Sequence, residues 1–171
     1  GRLVVENVML VSGLGAPPRG PVWIIISGDT IAQIVSYPPK PVPGEHRVDA
    51  RGMTALPGFI DAHVHIANPY EGVVGPITPP EYVFKLWLAH GITTVRDTGS
   101  VMGLDWTVSH AARAARNEIV APDIVPFAMF PGTSLAQFEI SDEQGARDWV
   151  RAVKARGAKG VKLRGGTEEA L

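Results

Sequence analysis

The residues with the clearest chemical potential lie in one short run, Pro57-Gly58-Phe59-Ile60-Asp61-Ala62-His63-Val64-His65. Side chains alternate between the two faces of a strand, so Asp61, His63 and His65 would share one face. Two imidazoles placed in this way can bind one divalent ion, and imidazole nitrogen suits zinc and neighbouring first-row metals. Asp61 lies one step deeper and could orient a ligand or polarise a metal-bound water. For an isolated His-x-His pair, two histidines held by backbone hydrogen bonds are the alternative.

The composition of the 171 residues narrows the class of protein. Hydrophobic residues make up 45% and charged residues 19%, which is typical of a soluble globular domain. The net charge of -1 indicates neither a nucleic-acid nor a membrane partner, and no apolar run approaches the roughly 18 residues that span a bilayer. Cysteine is absent, so a metal site would depend on histidine, carboxylate or a less common ligand. No signal peptide is visible, which favours a cytoplasmic location but leaves the compartment open.

Residues 1–56 have the pattern of a small β-domain. Short β-branched runs alternate with turns, and Ser27-Gly28-Asp29 separates two of them in the manner of a hairpin. The proline-rich segment 38–44 cannot form a helix and predicts an exposed loop. The predicted strands are Leu3–Val11, Pro21–Ile26, Thr30–Val35 and His46–Asp49. We expect them to form a small antiparallel sheet.

From residue 57 onward, strand and helix patterns alternate. Four apolar runs begin 33, 32 and 36 residues apart, and segments with helical periodicity lie between them. This alternation is typical of βαβ units around a parallel sheet, whose strands are near-continuously apolar when both faces are covered. The predicted strands are Phe59–His65, Ile92–Asp97, Ile124–Phe130 and Gly160–Leu163.

The segments between these strands carry helix start and stop signals. The predicted helices are Pro80–His90, Asp105–Ile119 and Ser141–Arg156. Asp105 is placed to cap the second helix, and Ser141 with Gln144 suggests a capping box for the third. Gly157 follows the third helix as a candidate C-terminal cap.

Other histidines and tryptophans have simpler interpretations. His90 ends a predicted helix, where a capping role is favoured over a metal ligand. His110 lies within a helix and His46 beside the proline-rich loop, so neither is assigned a role. Trp87 and Trp149 are expected to pack helices against the sheet.

The length limits the architecture. A complete (β/α)₈ barrel takes about 250 residues, whereas 115 residues run from Pro57 to Leu171. We therefore predict an α/β fold in which residues 57–171 form the first half of a TIM barrel, preceded by a small β-sandwich segment at residues 1–56. A complete doubly wound α/β domain would normally carry a glycine-rich loop after its first strand, and none follows His65. Sites in such barrels lie at the C-terminal ends of the strands, which is where His63 and His65 would be.

These segments together resemble a known family. The run Val48–His65 resembles the entry into the first barrel strand of the amidohydrolase superfamily, and in particular of its imidazolonepropionase-like and prolidase-like members. Leu3–Val11 looks like the family's opening strand, Val22–Ile34 like its next hairpin, and Gly91–Gly99 like its second barrel strand. The resemblance implies that the half-barrel is that of a metal-dependent hydrolase.

The resemblance also implies further site residues. Gly157–Leu163 is similar to the fourth strand of the family, and Lys162 lies where many members carry a lysine whose carbamate bridges two metals. Carboxylation turns an ammonium group into an anionic two-oxygen ligand, and burial favours the neutral amine that reacts. We therefore expect His63, His65 and Lys162 to bind metal, with a solvent-facing lysine as the alternative for Lys162. Asp61 and Asp97 are candidates for substrate contact or for hydrogen bonds behind the ligands, and a loop-capping role is equally open for Asp97.

The activity that the resemblance implies is hydrolysis of C–N bonds in amides or cyclic amides, with dipeptides and acylated amino acids as candidate substrates. One or two divalent ions, most simply zinc, would activate the water. The partner would be a small-molecule amide, and a homo-oligomeric state is left open. In the family, the remaining metal-binding histidines and the general-base aspartate lie on the fifth, sixth and eighth strands, which would fall beyond residue 171, so no catalytic residue is named.

Two expectations concern the chain as a whole. We expect it to be a fragment that is inactive by itself. A non-catalytic scaffold or interaction protein with the same fold is the alternative function. The loop Ala67–Pro80 is long enough to wall a pocket, but its residues do not identify a ligand.

Overall fold

The computed structural model describes residues 1–67, 78–130, 140 and 142–163. The chain divides into two compact units, Gly1–Pro57 and Gly58–Leu171. Among the helices in these ranges, none is long and apolar enough to cross a membrane.

The first unit is a five-stranded sheet. Its strands are β1 (Arg2–Leu10), β2 (Arg19–Ser27), β3 (Thr30–Val35), β4 (His46–Asp49) and β5 (Thr54–Ala55). The sheet order is β3-β2-β1-β4, and β5 also pairs with β1. β2 is antiparallel to both β1 and β3, whereas β4 and β5 run parallel to β1. The predicted antiparallel pairing is therefore confirmed for β1, β2 and β3 but wrong for β4, because the segment 36–45 returns the chain so that β4 enters in the direction of β1.

Local chemistry explains the hairpin and the core of the first unit. β2 and β3 are joined by a two-residue turn in which Gly28 has φ +64°, a conformation that glycine adopts without steric cost. Consecutive residues Val22–Ile25 of β2 are all buried, so both faces of this strand are covered. One face contributes to a cluster with Val8 and Leu10, and the other to a cluster with Val4.

The second unit alternates strands and helices. Its elements are β6 (Phe59–Val64), α1 (Pro80–Ala89), β7 (Ile92–Asp97), α2 (Leu104–Ala115), β8 (Asp123–Phe130), α3 (Glu143–Ala155) and β9 (Gly160–Leu163). The four strands form a parallel sheet in chain order, β6-β7-β8-β9. This curled sheet is a half-barrel, as the sequence predicted.

The helices cover the outer face of this sheet. Val64 and Val95 pack with Phe84 of α1, and Ala128 packs with Trp149 of α3. Trp149 meets Phe130 edge-to-face at 5.0 Å between ring centroids. The alternation of side chains then assigns the opposite, inner face, which corresponds to the interior of a barrel. The inner-face residues used below are His63, His65, Arg96, Phe127, Met129, Gly160 and Lys162.

Two helix starts differ from the prediction. α2 begins at Leu104 after Gly103, and Asp105 lies in its first turn without capping it. α3 begins after Asp142, whose Oδ1 accepts a hydrogen bond from the Gly145 N–H at 2.7 Å. Ser141, the predicted cap, lies outside the described residues, and the side chain of Gln144 binds Asp148 at 3.0 Å. A carboxylate one residue nearer the helix thus takes the capping position.

Helix ends follow the expected chemistry more closely. His90 caps the end of α1, with Nδ1 2.8 Å from the Leu86 carbonyl oxygen, as predicted. α2 ends at Ala115, four residues earlier than predicted, and Asn117 then adopts φ +56°. Gly157 follows α3 with φ +99°, the left-handed conformation expected of a glycine beyond a helix end.

Candidate metal centre

His63 and His65 lie side by side at the C-terminal end of β6. β6 ends at Val64, so His65 is the first residue beyond the strand. The two rings are exposed, their centroids are 5.5 Å apart, and their planes are inclined by 60°. With metal–nitrogen distances of about 2.0–2.1 Å, a tetrahedral ion bound by two imidazoles would place the ring centroids about 5.2 Å apart. The observed spacing therefore fits a shared divalent ion.

Hydrogen bonds fix the ring of His65. Its Nδ1 is 2.8 Å from the carbonyl oxygen of Gly99, and because a carbonyl only accepts, Nδ1 must carry the proton. Its Nε2 is 3.3 Å from the hydroxyl of Thr98, but that hydroxyl has one proton and makes a shorter bond of 3.1 Å to the Val64 carbonyl oxygen. The lone pair of Nε2 is thus available. Metal-binding histidines commonly donate the other ring N–H to a backbone carbonyl in this way.

A bulge in β6 sets the direction of His63. The ladder pairs Asp61 with Val95 and then Val64 with Asp97, so β6 has one more residue than β7 over this stretch. Such bulges redirect side chains and are frequent beside functional sites. Oδ1 of Asp61 accepts a hydrogen bond from the backbone N–H of His63 at 3.1 Å. The extra residue leaves Asp61 in register with Val95 of the helix-side face, so Asp61 does not share a face with His63 and His65 as predicted. Its carboxylate binds the strand backbone instead.

Asp97 lies behind the end of β7. Its side chain is 0% exposed and Oδ2 accepts a hydrogen bond from Thr107 of α2 at 2.8 Å, so it is directed toward the helix layer. Oδ1 has no hydrogen-bond partner of ordinary geometry among the described residues. Burial raises the pKa of Asp97 above its ordinary value, against the opposing influence of Thr107, the nearby backbone N–H groups of Ile66 and Gly99, and the charge of His65.

Lys162 lies on β9, at the opposite edge of the four-stranded sheet from β6, which carries the histidines. It is half-buried and pairs with Met129 of β8, while the adjacent Val161 packs in the helix-side core. Lys162 therefore shares the inner face with His63 and His65. Within residues 1–67, 78–130, 140 and 142–163, no group of three or more His, Asp or Glu side chains is arranged to hold a metal ion.

Three supporting residues were not singled out from the sequence. They are Arg96, Thr98 and Gly99, which all lie in the run Gly91–Gly99. Gly99 has φ +113°, and a Cβ there would lie 2.8 Å from the Cβ of Met129. A glycine two residues beyond the end of a predicted strand was the available signal, because glycine is favoured where the backbone has a positive φ or approaches another segment closely.

Other candidates have structural surroundings or lie outside the described residues. His110 is buried, its ring centroid is 3.9 Å from that of Trp106, and its Nδ1 is 2.9 Å from the Trp106 carbonyl oxygen. It therefore belongs to the helix layer. Most of the predicted pocket loop Ala67–Pro80 lies outside the described residues.

The sequence profile of the Amidohydrolase family matches residues 54–170, which include the bulge, both histidines and Lys162. This chain belongs to the amidohydrolase family. The match covers well over half of the chain, and it agrees with the half-barrel and with the position of the histidines at the end of its first strand.

Named relatives of this amidohydrolase chain include adenine deaminases. The adenine deaminase of Bacillus velezensis is 33% identical over 115 residues, which cover 63% of this chain and 18% of that protein. Adenine deaminase 2 of Desulfotalea psychrophila is 30% identical over 136 residues, which cover 75% of this chain and 21% of that protein. The chain thus spans about a fifth of the length of the curated relatives that it matches.

Solved structures with the same fold include prolidase-like proteins. A Xaa-Pro dipeptidase with bound methionine matches with a TM-score of 0.73 at 20% identity, covering 95% of this chain and 47% of the other. The putative prolidase from Bifidobacterium longum matches with a TM-score of 0.73 at 21% identity, covering 96% of this chain and 41% of the other. At these identities the likeness establishes the fold, the first half of an amidohydrolase barrel with its N-terminal sheet.

Proposed function

We propose that this protein is a metal-dependent hydrolase of C–N bonds in which His63 and His65 bind a divalent ion, most simply zinc. The proposal rests mainly on the hydrogen bond from His65 Nδ1 to the Gly99 carbonyl oxygen, which leaves Nε2 able to bind a metal. The 5.5 Å spacing of the two rings supports a shared ion.

The residues of this chain would hold and orient the metal. A bound divalent ion would lower the pKa of a water molecule and polarise the scissile bond. His65 would keep its orientation through Gly99, and His63 through the bulge whose N–H is bound by Asp61. Lys162, on the same face, is proposed as a further ligand after carboxylation. Asp97 is proposed to hold the strand ends behind the ligands, because its side chain is buried against Thr107.

The substrate is proposed to be a small molecule with a hydrolysable C–N bond. The relatives named adenine deaminases share 30–33% identity with this chain, and the prolidase-like structures share its fold. These names favour two substrate types, an amino-substituted heterocycle and a dipeptide.

An activity screen tests the proposal. The longest natural protein that contains these residues would be assayed with adenine, a Xaa-Pro dipeptide, an N-acyl amino acid and a cyclic amide, with and without a chelator. We expect chelator-sensitive turnover of at least one substrate, with His63→Ala and His65→Ala lowering it by a factor of about 100 or more. His90→Ala is the matched control, since His90 caps a helix, and its turnover should stay unchanged.

The screen also distinguishes a hydrolase from the alternative function, a non-catalytic scaffold or interaction protein. A protein that binds no metal and turns over none of these substrates would favour a non-catalytic scaffold. We expect the 171-residue chain by itself to be inactive, because catalytic zinc sites commonly use three protein ligands and the described residues bring two histidines together.

A further inference from the structure

The bulge in β6 leaves two backbone groups, the carbonyl of Ala62 and the N–H of His63, between two paired positions of the ladder. The ladder pairs Asp61 with Val95 and Val64 with Asp97, so the peptide that joins Ala62 to His63 falls between the pairs. Backbone groups that a bulge removes from the ladder bond to side chains or to water instead. The N–H of His63 is bound by Asp61, and the C=O of Ala62 is bound by Nε of Arg96 at 2.6 Å.

Arg96 reaches this carbonyl from the neighbouring strand. Its neighbours Val95 and Asp97 are buried on the helix side, so Arg96 lies on the inner face with the histidines. An arginine–carbonyl hydrogen bond is charge-assisted and therefore stronger than a neutral one. The bond holds the peptide immediately before His63.

Phe127 supports the guanidinium from the other side. The guanidinium carbon is 5.1 Å from the Phe127 ring centroid, within the range of cation–π contact. Phe127 in turn pairs with Gly160 of β9, where a Cβ would lie 2.5 Å from the ring. The contacts form a row across all four strands of the half-barrel, from the Ala62 carbonyl through Arg96 and Phe127 to Gly160.

We propose that Arg96 is a positioning residue for His63. By binding the Ala62 carbonyl while it stacks on Phe127, it fixes the bulged peptide and thereby the spacing of His63 and His65. The inference rests on the proposed metal site. Loss of a residue that orients a ligand typically weakens metal binding by a factor of about 10 to 100.

Zinc binding by the 171-residue chain tests this role. The variants are Arg96→Met, which keeps the apolar stem without a donor, and Arg96→Lys, which keeps a single-point donor. Arg151→Met is the matched control, because Arg151 is exposed on α3 and pairs with Asp148. The zinc dissociation constant would be measured by competition with a chromogenic chelator, and the geometry by the visible absorption of the cobalt-substituted protein.

We expect Arg96→Met to raise the zinc dissociation constant by a factor of about 10 to 100 and to alter the cobalt spectrum. Arg96→Lys should fall between Arg96→Met and the wild type, and Arg151→Met should match the wild type. A folded Arg96→Met chain with wild-type affinity and spectrum would overturn the inference, since a purely structural role would lower only the melting temperature.

A second variant covers the case in which Arg96→Met fails to fold. Phe127→Leu removes the ring under the guanidinium and leaves the bond to Ala62, so we expect a smaller rise of the dissociation constant. If both Phe127→Leu and Arg96→Lys fold and bind zinc as the wild type does, the inference is overturned. A wild-type chain that binds no zinc would contradict the proposed metal site itself, and this inference with it.

Discussion

At the scale of single residues, the two ring nitrogens of His65 are in different surroundings. Nδ1 faces the Gly99 carbonyl at 2.8 Å, and Nε2 faces the Thr98 hydroxyl at 3.3 Å. The close approach of Gly99 depends on its having no side chain, because it has φ +113° and lies against Met129. The tautomer of His65 is therefore determined by a backbone carbonyl just beyond the end of β7.

Gly99→Ala should disturb this tautomer and the packing together. A Cβ at this position would lie 2.8 Å from the Met129 Cβ, so the backbone or Met129 must shift. We expect an unfolding free energy about 1–3 kcal/mol lower than that of Gly15→Ala, which has a similar positive φ of +79° but open space around it. Urea unfolding gives the stabilities, and nitrogen-15 shifts of the His65 ring give the tautomer. Equal stabilities and an unchanged Nδ1–H tautomer would show that the contact with Met129 is unimportant.

Asp97 makes stability depend on pH in a defined direction. Burial raises its native pKa above the ordinary 3.8, so between these two values the native state binds more protons than the unfolded state. The free energy of unfolding should therefore fall as pH rises through that window and stay lower above it. Asp97→Asn keeps an acceptor for Thr107 but cannot ionise. The unfolding free energy of Asp97→Asn relative to that of the wild type should rise from pH 4 through the window and then level off. Wild-type and variant free energies that change in parallel with pH would show that Asp97 does not cause this dependence.

The residue scale also shows what sequence reasoning can find. His63 and His65 were identifiable because two imidazoles on alternate positions of a predicted strand are close by geometry alone. The bonds of Arg96 to Ala62 and of Thr107 to Asp97 were not, because they depend on strand register and helix docking. Asp97 was identified from the sequence, but its direction toward α2 depends on which residues of β7 face the helix layer in the folded sheet.

At the scale of elements, strand bounds followed the sequence closely. β3, β4, β7 and β9 have the predicted limits, and β6 ends one residue early. Apolar runs between turn residues define these strands locally. The pairing of β4 with β1 was missed, because a short strand pattern does not say which neighbour it joins or in which direction.

The start of α3 offers a test of the observed cap. Asp142 accepts the Gly145 N–H at 2.7 Å, so Asp142→Ala should lower the unfolding free energy by about 1 kcal/mol. Gln144 instead binds the exposed Asp148, so Gln144→Ala should change it by less than about 0.5 kcal/mol. Thermal and urea unfolding measure both. A larger loss for Gln144→Ala would favour the capping box that the sequence suggested.

At the scale of the whole molecule, the four-stranded sheet has β6 and β9 as its edges. Phe59 and Ile60 at the start of β6 are 56% and 69% exposed. Exposed apolar edge strands favour pairing with another chain, and a complete barrel has no such edges. The half-barrel was predictable from the count of βα units, whereas these exposures required the folded sheet.

Self-association of the 171-residue chain should follow from this edge. We expect the wild type to elute at increasing apparent mass as its concentration rises, and Ile60→Lys to shift it toward the monomer, because a lysine on an edge strand opposes pairing. Val150→Lys adds the same charge at a position on α3 that is 45% exposed, and it should behave as the wild type does. Size-exclusion chromatography with light scattering gives the masses. Equal effects of the two lysines would mean that net charge, and not the edge, controls association.

Calorimetric titration of the chain with zinc tests whether His63 and His65 bind one divalent ion. We expect saturable binding of one ion, with the dissociation constant raised at least about tenfold by His63→Ala or His65→Ala and unchanged by His90→Ala. Absence of saturable binding in the wild type, or equal affinity in all three variants, would contradict this expectation.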